Sequence, residues 1–128
     1  MPHRIRVIRA GYLPFEQLAG FLGGAELVAY PSLGEGFGLP VLEAMACGAC
    51  VLTTRRLSLP EVGGEAVAYC GVGAGDIAAA IADLLNDPAR RSSLAASGQQ
   101  RAKDFSWAVS AERHRLAYER ALLVRRRR

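Results

Sequence analysis

The chain has 128 residues, 51% of them apolar, and a formal net charge of +4. That length fits one domain able to bury a core without disulfide or metal staples. No uninterrupted apolar run approaches the roughly 20 residues of a membrane-spanning helix. Met1 to Ala10 lacks the charged, apolar and small-residue order of a secretory signal, so the sequence reads as cytoplasmic. Cys47, Cys50 and Cys70 are odd in number, which argues against a disulfide framework and for buried thiols. The excess charge corresponds to Arg125 to Arg128, read as a solvated basic tail or as a weak contact with anionic lipid headgroups at the inner face of the membrane, worth about 1 kcal/mol per arginine.

In chain order, Ile5-Arg6-Val7-Ile8 alternates briefly and reads as a short strand ended by Gly11 and Pro14. Phe15, Leu18, Ala19, Phe21 and Leu22 then recur at helical spacing, and Gly23-Gly24 is expected to end that helix. Leu27 to Tyr30 is a continuous apolar run stopped by Pro31, as suits a strand buried on both faces of a parallel sheet. After a glycine-rich turn, Leu39 to Ala46 reads as a helix with Pro40 in its first turn, and Cys50 to Thr53 as a third strand. A fourth strand is expected at Ala66 to Cys70. The spacing then predicts helices over Ile77 to Leu85, ending before Pro88, near Ala89 to Lys103, and over Trp107 to Leu123. Strands alternating with helices predict an α/β fold, a doubly wound parallel sheet of about four strands flanked by helices.

In such sheets ligands bind at the carboxyl ends of the strands, which directs attention to the segment after Tyr30. Gly34, Gly36 and Gly38 let the backbone approach a ligand closely. Pro40 at a helix start predicts that the remaining first-turn amides are unpaired beside the positive end of the helix dipole, a seat for phosphate. Glu43, expected in the first turn, would lean back toward the same mouth. A carboxylate repels diphosphate, so hydrogen bonds from sugar hydroxyls are a suitable role for Glu43 and for Glu35. The plainer reading is a helix-dipole contribution of about 0.3–1 kcal/mol and a tight turn.

The segment also resembles the retaining glycosyltransferases of family 4. Glu35 and Glu43 are separated by seven residues, with Glu-Gly-Phe-Gly-Leu-Pro beginning at Glu35 and Glu-Ala-Met-Ala-Cys-Gly running from Glu43 to Gly48. Pro31-Ser32, Leu59-Pro60-Glu61-Val62 and Phe105-Ser106-Trp107 match as well. The resemblance implies the carboxy-terminal part of a GT-B architecture, with residues 1–124 a partial, Rossmann-like nucleotide-sugar-binding domain and 125–128 a basic tail. It implies a UDP-, GDP- or ADP-linked sugar as donor and no required metal or other cofactor. By the same resemblance Glu35 is the catalytic residue, holding hydroxyls of the donor sugar, and Glu43 binds the ribose. The amides around Gly36, Phe37, Gly38 and Leu39 contact sugar and diphosphate, Leu42 packs near the ribose, and Gly11 and Tyr12 lie beside the base.

The departures from that pattern are informative. The family's phosphate-binding arginine and lysine belong to a segment upstream of this chain, and Arg55 and Arg56 do not occupy their place. Strands one and two of the 3-2-1-4-5-6 order are absent, because His3 to Arg9 matches strand three. The expected partners are therefore a nucleoside-diphosphate sugar and an amino-terminal acceptor domain or complementary chain, with self-association through an exposed sheet edge as a further outcome. The isolated chain is expected to be inactive, and a non-catalytic nucleotide-sugar-binding module is the alternative. His3 and His114 read as ordinary surface residues, and Cys47 and Cys50 as core thiols. Nucleic acid is disfavoured, since the two glutamates would repel a phosphate backbone.

Overall fold

The computed structural model describes residues 6–126. Helix α1 (Phe15–Gly23) precedes strand β1 (Val28–Tyr30), helix α2 (Leu39–Ala46), strand β2 (Val51–Thr54), helix α3 (Leu59–Gly63) and strand β3 (Ala68–Cys70). Helices α4 (Ala74–Leu85), α5 (Pro88–Ala102) and α6 (Trp107–Arg126) complete the order. The sheet is parallel, in the order β1-β2-β3, with Val28 opposite Val51, Tyr30 opposite Thr53, and Thr54 opposite Cys70. This is the α/β architecture expected, a parallel sheet flanked by helices.

Strand β2 organises the interior because all four of its residues are buried. Successive strand side chains point to opposite faces, and the two apolar clusters follow that alternation. Val51 joins Val41, Met45, Leu59 and Val62 on one side of the sheet, whereas Leu52 joins Cys50, Ala68 and Leu84 on the other. Helix α5 serves both clusters, with Leu94 against the second and Ala102 against the first. Its buried Gly98 allows close packing on α2, since a Cβ there would lie 3.3 Å from Met45 Cγ.

The sheet has three strands among the described residues, not about four. Residues Arg6 to Ala10 carry no regular structure, and Val7 and Ile8 are 81% and 70% exposed; His3 to Ile5 lie outside the described residues. A strand is stable only when its N–H and C=O groups meet a neighbouring ladder, and among the described residues β1 pairs with β2 alone. Helix α1 ends at Gly23 as expected, although Gly24 caps it in a right-handed conformation (φ −85°).

Helix α3 was not foreseen, being too short for a periodic signal. Arg101 holds its carboxyl end, donating from Nε to Val62 O and from Nη2 to Glu61 O, each at 2.7 Å. Gly64 leaves room for that guanidinium at φ +54°. Helix α6 opens at Ser106, whose Oγ accepts from Val109 N at 3.1 Å. From Ala111 to Arg125 its residues are exposed, and it continues through the first two arginines of the basic run. Among the described residues no helix is long and apolar enough to cross a membrane.

Candidate functional site

The loop between β1 and α2 lies at the carboxyl end of the parallel strands, the place the topology predicts for a ligand. It rests on the end of β2 and the turn that follows it. Thr53 Oγ1 donates to Tyr30 O at 2.8 Å, Thr54 Oγ1 to Ser32 O at 2.6 Å, and Ser58 Oγ to Glu35 O at 2.9 Å. Two leucines support the glycines from the same side. A Cβ on Gly34 would lie 3.3 Å from Leu57 Cδ1, and one on Gly38 would lie 2.8 Å from Leu59 Cδ2. Leu57 itself has φ +47°, a left-handed conformation unusual for a non-glycine residue. Sequence reasoning missed Thr53, Thr54, Leu57 and Ser58 as part of this site. Their signal was a pair of hydroxyl residues closing a buried strand.

Gly38 is the residue preceding α2, with φ +101° and ψ +43°. Its carbonyl accepts from both Val41 N (3.0 Å) and Leu42 N (3.3 Å). The expectation that Pro40 leaves the other first-turn amides unpaired therefore holds for Leu39 N among the described residues but not for Val41 N, which bonds back to Gly38 O. The amides of Gly36, Phe37, Gly38 and Leu39 have no hydrogen-bond partner among the described residues. An Ala at position 38 would combine backbone strain of about 1–3 kcal/mol with a contact against Leu59, which is fully buried. Gly38→Ala is expected to lower stability by roughly 2–4 kcal/mol, read as a lower urea midpoint at unchanged slope.

Glu35 is half-buried and held through one oxygen. Its Oε1 accepts from Tyr30 Oη at 2.5 Å and from Ser32 Oγ at 2.7 Å. Those two bonds, the tyrosine's first, hold the carboxyl below its ordinary range, and the same bond to Glu35 raises the Tyr30 phenol. Oε2 has no partner among the described residues. Glu43 is exposed and sits in the second turn of α2, not the first, since the helix begins at Leu39. The lean of helical side chains toward the amino end still directs it to the loop side. Phe37 is anchored across the chain, meeting Phe105 edge-on at 6.0 Å, and Arg101 lies 5.6 Å from the Phe105 ring centre.

The match to known proteins is decisive at this point. Residues 3–101 match the family described as glycosyl transferases group 1. The chain belongs to the group 1 glycosyl transferases. Among relatives, O-antigen chain mannosyltransferase B of Escherichia coli is 44% identical over 98 residues, covering 76% of this chain and 26% of that protein. The MMP alpha-(1->4)-mannosyltransferase of Mycolicibacterium hassiacum is 37% identical over 112 residues, covering 84% and 27%. Sucrose-phosphate synthase from Thermosynechococcus elongatus superposes with a TM-score of 0.77 at 29% identity, over 90% of this chain and 30% of that one. The chain thus spans about a quarter of the length of the curated relatives it matches.

The remaining sequence-predicted residues of this group 1 glycosyl transferase are distributed unevenly. Leu42 is half-buried and packs on the core cluster of α2 and α3. Gly11 (φ +68°) and Tyr12, 94% exposed, make no described hydrogen bond to the glycine loop. Arg55 stacks over the Tyr69 ring at 4.0 Å. His114 is exposed on α6 with Nδ1 2.7 Å from Ser110 O. Cys50 is buried, and burial raises its thiol pKa, as it does that of Cys70. Two surface depressions, of about 330 and 300 Å³, lie away from the loop, one beside Gln99 and Lys103 and the other beside Gly24, Cys50 and Arg91. In this glycosyl transferase domain the loop residues Leu33, Gly34, Gly36, Phe37 and Leu39 are exposed at the surface.

Proposed function

We propose that this chain is the donor-binding part of a retaining glycosyltransferase that takes its sugar from a nucleoside diphosphate. The observation that carries this reading is the combination of four amides at the junction of loop and helix, those of Gly36, Phe37, Gly38 and Leu39, with the Oε2 of Glu35, none of these atoms having a hydrogen-bond partner among the described residues. Amides beside the positive end of α2 suit diphosphate. Carboxylates at Glu35 and Glu43 accept hydrogen bonds from the donor sugar and the ribose respectively, with Leu42 near the ribose and Gly11 and Tyr12 near the base. Breaking the glycosidic bond builds negative charge on the diphosphate, and fixed donors aimed there lower the barrier without an obligatory metal. The mannosyltransferase relatives favour mannose as the transferred sugar.

The open face of the loop supports a second wall contributed by an amino-terminal acceptor domain, together with the cations that complete diphosphate binding. On this reading the isolated chain binds donor but does not transfer. Calorimetric titration with UDP, GDP, ADP and their glucose or mannose derivatives tests it. One nucleotide should bind selectively, and Glu43→Ala, which removes charged hydrogen bonds worth about 1.5–3 kcal/mol, should weaken it by about 10- to 100-fold. Equal affinity in the variant removes Glu43 from the site. Turnover restored by adding the amino-terminal half separates this reading from a non-catalytic binding module, which would bind without turnover under any addition.

A further inference from the structure

We infer that Tyr30 is a positioning residue for Glu35, fixing which carboxylate oxygen faces the donor. The inference rests on the donor role proposed for Glu35 and adds a device behind it. An exposed glutamate normally samples several rotamers, and ordering such a side chain costs conformational entropy. Here two hydroxyls, Tyr30 Oη and Ser32 Oγ, converge on Oε1. The acceptor sites of Oε2 are left for hydroxyls of a ligand.

The holding groups are themselves held, by hydroxyls from a different part of the chain. Tyr30 O, Ser32 O and Glu35 O accept from the hydroxyls of Thr53, Thr54 and Ser58 respectively, and Tyr30 O also accepts from Ser32 N at 2.9 Å. The three residues that form the clamp are thus anchored through their backbone, independently of the phenol. The Tyr30 ring is half-buried against the apolar cluster that contains Val41 and Val51. A phenylalanine there keeps the packing and removes only the hydroxyl.

The clamp also keeps Glu35 ionised, since both bonds to Oε1 favour the charged form. The groups that face the carboxylate are Tyr30 on β1 and Ser32 in the loop, and among the described residues no other ionisable side chain contributes to its shift. With a native pKa below the unfolded value of about 4.3, the associated stability is complete above that range and is lost as pH falls through the native value.

The test is a carbon-detected NMR titration of the Glu35 carboxyl in the full chain, as wild type, Tyr30→Phe and Tyr30→Phe/Ser32→Ala. The wild type should titrate below the ordinary glutamate range, the single variant closer to it and the double variant closest, with the thermal midpoint of Tyr30→Phe near that of the wild type. Nucleotide-sugar affinity at neutral pH should fall about 10-fold in Tyr30→Phe, with the acid limb of binding moving up in step with the carboxyl. An ordinary titration in the wild type, or one that Tyr30→Phe leaves unchanged, overturns the inference. If the carboxyl responds as expected but the wild type binds no nucleotide sugar, the clamp stands and the donor reading fails.

Discussion

Leu59→Ala should destabilise the domain by about 3 kcal/mol, within the range of about 2–5 kcal/mol for deletion of a buried leucine side chain. Leu59 is fully buried, and it belongs to the cluster that joins α2, α3 and β2 through Val41, Met45, Val51 and Val62. Its Cδ2 also bounds the space beside Gly38, so the cavity would open directly beneath the glycine loop. Against a typical domain stability of about 5–15 kcal/mol, such a loss is large. Urea denaturation measures it, with Leu33→Ala as the control. Leu33 is 69% exposed on the loop, and its truncation should change stability by less than about 0.5 kcal/mol. Similar small losses in both variants would mean that the α2–α3 cluster does not support the site.

Glu35→Gln should leave the fold intact and weaken donor binding by about 10- to 100-fold. The amide oxygen of glutamine can still accept from Tyr30 and Ser32, so the clamp on that side is preserved. The other position changes from an anionic acceptor to an N–H donor, which faces the ligand with the wrong polarity. Charged hydrogen bonds contribute about 1.5–3 kcal/mol each, and losing one accounts for that range of affinity. Calorimetry on the chain reads the binding loss, and circular dichroism confirms that the fold survives. Once transfer is reconstituted with an amino-terminal half, the same variant should lower kcat/KM by at least the binding loss. Unchanged affinity would remove Glu35 from the donor site and leave its bonds to Tyr30 and Ser32 a local loop support.

The framework of the candidate site was legible in the chain because its signals are local. The apolar run ending at Tyr30 and Pro31, the glycines at 34, 36 and 38, and Pro40 at the start of a periodic stretch mark a strand, a loop and a helix within one short segment. Other features were illegible for equally physical reasons. Helix α3 spans Leu59–Gly63, too few residues for a period to repeat. The described part of the expected first strand, Arg6 to Ile8, has a strand-like sequence, but a strand also requires a neighbour, and among the described residues β1 pairs with β2 alone. Placing Glu43 in the first turn depended on where α2 begins, and the boundary at Leu39 moves it into the second.

Residue order alone determined the alternation of strands and helices, the position of the glycine loop at a strand's carboxyl end, and the two glutamates that flank it. Those properties follow from periodicity, backbone freedom and proline geometry, all of which act within a few residues. The tertiary structure decided how the loop is held. Thr53, Thr54 and Ser58 reach Tyr30, Ser32 and Glu35 only because β1 and β2 pair with Tyr30 opposite Thr53. Phe37 meets Phe105, and Arg101 closes α3, only because α5 crosses α2 at Gly98. Such contacts join residues far apart in the chain, and their geometry depends on register and packing that no local pattern encodes.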